Sequence, residues 1–239
     1  MIALNPFDST IVMFFDRFAQ RSHAFDHLAC GFEGEPLLKG GVLTAALWWA
    51  WFRRSAHQAR DRSVLVAGII SSMVALAVCR SAAWVLPYRV RPVFNPSLGF
   101  VAPYGDDPST LISWSSFPSD HAGLFFALAA CLFYISRRAG ILACAYTAVF
   151  ICLPRIYLGD HYPTDIIAGG AIGIFIAWLF QRKSVLQALT AVPLRLLDRS
   201  PAYFYMFCYV GSLQLATNFD LIRRVGSIVF HSLRTHGAT

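Results

Sequence analysis

Charge is scarce in this 239-residue sequence: only 14% of its residues are Asp, Glu, Lys or Arg, against about 25% in an ordinary soluble domain. Lysine is nearly missing, with Lys39 and Lys183 alone, so the net charge of +7 rests on arginine. The arginines stand at the ends of apolar runs and form no single basic segment, which argues against a nucleic-acid partner. The six cysteines (Cys30, Cys79, Cys131, Cys144, Cys152 and Cys208) contain no C-x-x-C pair. All but Cys30 lie within apolar runs, where a thiol acts as a small hydrophobe, so neither a disulfide framework nor a zinc site is indicated. The start of the chain has no basic n-region followed by a short apolar h-region, and the first membrane helix is expected to direct insertion itself.

What the sequence has is hydrophobic length. Hydrophobic residues make up 56% of it and aromatics 15%, the composition of an integral membrane protein in one all-α domain. Residues 7–30 are amphipathic, with Phe7, Ile11, Phe14, Phe15 and Phe18 set among Asp8, Asp16, Arg17 and Arg21. That stretch is too polar to span and reads as an interfacial helix within an N-terminal segment, 1–36. His23 and His27 sit four apart on it, as two solvated histidines rather than a metal site. Apolar runs at 37–52, 64–87, 121–136, 139–158, 165–181 and, more weakly, 202–218 predict a six-helix membrane domain over 37–218, followed by a tail at 219–239. Gly169 and Gly173 form a G-x-x-x-G on the fifth run, a motif for close helix packing.

The connections carry the polar residues. Arg53, Arg54, Arg60, Arg62, Arg137, Arg138, Arg182, Lys183, Arg195 and Arg199 fall on one side by parity, with only Asp61 and Asp198 as acids there. The positive-inside rule makes that side cytoplasmic. On the opposite face the second run ends, the third begins, the fourth ends and the fifth begins. Those ends bear Arg89 and Arg91, then Ser119, Asp120 and His121, then Arg155, then His161 and Asp165, with Asp160 beside His161 and Arg80 near the end of the second run.

These residue types suit phosphate chemistry. Arginine forks donate paired, charge-assisted hydrogen bonds to phosphate oxygens. Ser119 reads as the N-cap of the third helix, whose first-turn amides favour an anion. His121 in that turn is placed to give a proton to a leaving oxygen. If helical geometry reaches back to His161, Asp165 shares its face and orients it as a nucleophile. The sequence has no cluster of several carboxylates suited to a divalent metal, so metal-independent phosphoryl transfer without a cofactor is expected.

R-V-R-P (89–92), F-P-S-D-H-A (117–122) and R-I-Y-L-G-D-H-Y-P-T-D (155–165) resemble the three signature motifs of the type 2 phosphatidic acid phosphatase superfamily of membrane lipid phosphatases. The aspartate in P-S-D-H, where many members have glycine, looks like members acting on undecaprenyl pyrophosphate. The resemblance implies a phosphohistidine on His161, with Asp165 orienting it and His121 protonating the leaving group. Arg91, Arg155 and Ser119 would hold the phosphate, on the outer face of a bacterial-type inner membrane. Two positions depart from the motifs. Trp84 stands where the first has a lysine, and Pro154 where a serine precedes the third-motif arginine. Arg89, with Arg80 as the second choice, is the expected replacement for the lysine's charge. A phosphotransferase with a sugar or lipid acceptor, and a non-catalytic lipid-headgroup transporter, are the alternatives the same residues allow.

Overall fold

The computed structural model describes residues 5–217, which are helical throughout apart from turns and one long loop; the tail at 219–239 lies outside them. Among the described residues nine helices follow in order, two short 3-10 turns in the long loop apart: α1 (Pro6–Asp16), α2 (His23–Gly34), α3 (Leu37–Phe52), α4 (Gln58–Val85), α5 (Asp120–Phe133), α6 (Arg137–Tyr157), α7 (Pro163–Phe180), α8 (Lys183–Arg199) and α9 (Pro201–Ala216). Three of them, α4, α6 and α7, are long and apolar enough to cross a membrane; α3 and α5 are apolar but shorter. Their outward faces carry exposed Leu142, Ile167, Phe175 and Trp178, the apolar exterior of a multi-pass membrane protein.

At the centre is α5, packed between α4 and α7. Leu124, Phe125, Leu128 and Leu132 are completely buried there. The glycine motif on α7 determines how near the helices come. A Cβ at Gly169 would stand 2.1 Å from the Ser119 carbonyl oxygen, and one at Gly173 would stand 2.2 Å from that of Gly123. Only glycine permits this approach. Along α6, Pro154 lacks the N–H that an α-helix needs, and the helix widens into a π-turn over Thr147–Cys152 just before it.

Two expectations are corrected. The single N-terminal helix is two, because Gln20 takes a left-handed conformation at φ 61° and Ser22 caps α2. Residues 183–199, read as a connection, form α8. Its Leu194, Leu196 and Leu197 pack on the core, and Pro193 is accommodated inside the helix.

Candidate active site

The eleven residues from Arg155 to Asp165 are a helix stop, a turn and a helix start. Arg155 closes α6. Gly159, at φ 75°, lets the chain reverse, and the Asp160 and His161 amides both donate back to the Arg155 carbonyl, at 2.9 and 3.2 Å. Tyr162 is extended, Pro163 opens α7, and Asp165 in the first turn accepts from the Tyr162 amide at 2.7 Å. His161 therefore lies outside the helix, and the shared helical face expected for His161 and Asp165 does not form.

This changes which group holds the histidine. Nδ1 of His161 is 2.8 Å from the Ser116 carbonyl oxygen and 3.7 Å from the Asp165 carboxylate. A carbonyl can only accept, so Nδ1 carries the proton, and in the neutral ring Nε2 presents its lone pair. Sequence reasoning missed Ser116, since no pattern of residue types marks a main-chain acceptor 45 residues away.

The loop joining α4 to α5 lines the other side. Its two arms pair through the Ser116 amide and the Arg89 carbonyl (3.0 Å). Arg91 donates to the carbonyls of Asp160 (2.7 Å) and Trp114 (3.2 Å). Ser119 caps α5 as expected, its Oγ accepting from the Ala122 amide, while its own amide donates to the Asp165 carbonyl (3.0 Å). All four polar clusters thus meet at one end of the bundle. Arg91, Arg155, His121 and His161 are all buried.

His121 is held by its neighbour. Its Nδ1 lies 2.7 Å from Asp120 Oδ1, and Oδ2 of the same carboxylate accepts from Arg80 Nε at 3.1 Å. The aspartate of P-S-D-H is therefore a bridge between Arg80 and His121. Arg155 pairs with Glu33 of α2 at 2.9 Å and with Asp160 at 3.4 Å.

Arg89, expected as the substitute phosphate clamp, is engaged by side chains of α1 and α7. Its guanidinium is buried between the carboxylates of Asp8 and Asp165, donates to Thr164 Oγ1 at 2.8 Å, and lies 4.2 Å from the centre of the Tyr162 ring. Trp84 points outward, 78% exposed, with Trp114 beside it. His23 stacks on Tyr104 at 3.9 Å. Among the described residues no group of three or more His, Cys, Asp or Glu is placed to hold a metal ion.

A buried end of a membrane helix bundle, carrying two oriented histidines among arginines, defines a membrane-embedded phosphatase as the class. The chain belongs to the PAP2 superfamily, whose model matches residues 66–186. Among its relatives, the lipid A 1-diphosphate synthase of Escherichia coli K12 is 27% identical over 72% of this chain and 73% of its own length. A putative undecaprenyl-diphosphatase of the same organism is 28% identical over 69% and 83%. The lipid A 4'-phosphatase of Bacteroides thetaiotaomicron is 38% identical over a shorter stretch, 32% of this chain and 37% of its own. A crystal structure of a transmembrane PAP2-type phosphatidylglycerolphosphate phosphatase from Bacillus subtilis aligns with a TM-score of 0.42 at 19% identity, covering 71% and 82% of the two chains.

Proposed function

We propose that this protein hydrolyses a lipid phosphate or pyrophosphate, with undecaprenyl pyrophosphate as the leading substrate, at the extracytoplasmic face of a bacterial inner membrane. In this reading α3 to α7 and α9 are the six crossing helices. His161 Nε2 attacks phosphorus, and the bond to the leaving oxygen breaks as His121 protonates that oxygen. Asp120 orients His121 for this step through its 2.7 Å contact with Nδ1. Arg91 and Arg155 hold the non-bridging oxygens, Arg155 exchanging Glu33 for phosphate, and the first-turn amides of α5 assist. Water then attacks the phosphohistidine, returning a proton to His121 and releasing phosphate. No metal or cofactor enters.

The observation that carries this is the main-chain anchor on His161 Nδ1, which leaves a buried imidazole with a free lone pair beside arginines. Purified protein in detergent with chelator present should release phosphate from undecaprenyl pyrophosphate, and His161→Ala should reduce the rate by at least about 10³-fold. An undiminished rate in that variant would sink the mechanism.

The synthase among the relatives favours a second reading, in which the phosphoryl group passes from His161 to a lipid acceptor. Labelled phosphate distinguishes them: it appears free for a hydrolase and on lipid for a transferase.

A further inference from the structure

Asp8 is completely buried, although it lies on α1, outside the stretch matched by the family model. Phe7 and Phe14 of the same helix are about half exposed, so the helix turns its carboxylate inward and its rings outward. Every contact of that carboxylate is specific. Oδ1 accepts from the Thr164 amide at 3.0 Å, one of the first-turn amides of α7 that has no partner within its own helix. Oδ2 accepts from Thr164 Oγ1 (2.6 Å), Arg89 Nη2 (2.5 Å) and Asn5 Nδ2 (2.9 Å). Arg89 in turn grips Asp165, the residue whose carbonyl holds the Ser119 amide at the start of α5. The chain Asp8–Arg89–Asp165 therefore ties α1 to the start of α7 and, through it, to the start of α5.

We infer that Asp8 is a positioning residue for the active site: it acts through Arg89 and Thr164 to hold the start of α7, and with it the turn bearing His161, in place against the start of α5. This rests on the proposed phosphatase reading. Asp8 touches no substrate, so it should govern turnover rather than binding. Arg89 is then a strut between two carboxylates, which gives a buried arginine a role that does not require phosphate.

The test uses the full chain in detergent with undecaprenyl pyrophosphate. Asp8→Asn should lower kcat by about 10- to 100-fold, the scale of an ångström-sized misplacement, with KM within about twofold of wild type. Wild-type kcat, or a change confined to KM, overturns the inference. Asp8→Asn leaves Arg89 with less compensation and can fail to fold, so Asp8→Asn/Arg89→Gln is measured beside Arg89→Gln. The asparagine oxygen can still accept from the Thr164 amide, so the double variant should lose little more than Arg89→Gln alone, whereas losses that multiply refute the link through Arg89. Hydrogen exchange over residues 155–167 is read in the same samples and should rise in Asp8→Asn. If the wild-type protein releases no phosphate, the phosphatase reading falls. The exchange result then decides the link alone, and unchanged exchange overturns it.

Discussion

Replacing Gly169 with alanine adds one methyl group at the closest approach of α7 to α5. That carbon would stand 2.1 Å from the Ser119 carbonyl oxygen and 3.3 Å from the Ala122 Cβ, whereas real Cβ atoms essentially never come within 3.0 Å of a neighbour. Main chain is the obstacle, so no side chain can swing aside, and the helices must part by roughly 1 Å in a close-packed interior. Overpacking of this kind costs about 1–3 kcal/mol, and the better helix propensity of alanine returns up to about 1 kcal/mol. The net loss of stability is therefore modest. Activity is different, because the shift falls on Ser119, on its bond to the Asp165 carbonyl, and on the turn that bears His161. Displacement by about 1 Å at reacting groups can cost about 100-fold in rate. Gly31→Ala is the control, since a Cβ there meets nothing within 4 Å on α2. Phosphate release and thermal unfolding of both variants should show Gly169→Ala folded but slow, and Gly31→Ala at wild-type rate. Gly169→Ala turning over like wild type would refute the claim that helix spacing sets the site.

Asp120→Asn should lower kcat by about 10²-fold or more, by loosening the carboxylate bridge that holds His121 through Nδ1. If Arg80 works through Asp120, adding Arg80→Gln to that variant should cost little more in the same assay. Asp106, in the loop before α5, has its carboxyl pushed up to about 7 by burial, helped by the negative charges of Asp160, Glu33 and Asp107. The folded form then holds a proton that the unfolded form has lost, so this group's contribution to stability declines as pH rises from about 4 to about 7. Asp106→Asn should accordingly raise the unfolding temperature more at pH 8 than at pH 5, and an equal effect at both would contradict the assignment.

Hydropathy and motif spacing made the central bundle and the meeting of its polar ends legible. Run ends are set by where charge begins, and parity then assigns them to one face. The partners of the acids on the N-terminal helices were not legible for a physical reason. In water a face bearing Asp8 and Asp26 would point outward, but here the exterior is apolar and carboxylates turn inward to find donors. Asp26 accepts from the Tyr157 hydroxyl and from the amides of Gln20 (3.0 Å) and Tyr104 (3.1 Å). The same inversion hid the place of Arg89, which looked like a clamp only while its partners were unknown. Helix α8 was concealed by its charged ends and by Pro193, which read as a connection until packing on α9 supplied what propensity did not.

The anchor on His161 has a consequence for how this protein can vary. Ser116 contributes its carbonyl alone, and its buried hydroxyl has no hydrogen-bond partner among the described residues. An alanine scan would pass over position 116, because alanine fits the buried site and keeps both the carbonyl and the amide. Insertions or deletions in the loop would move it at once. Heritable change in the reactive imidazole's aim therefore enters through the length and path of a loop, while at position 116 one small residue can stand for another with the aim unchanged.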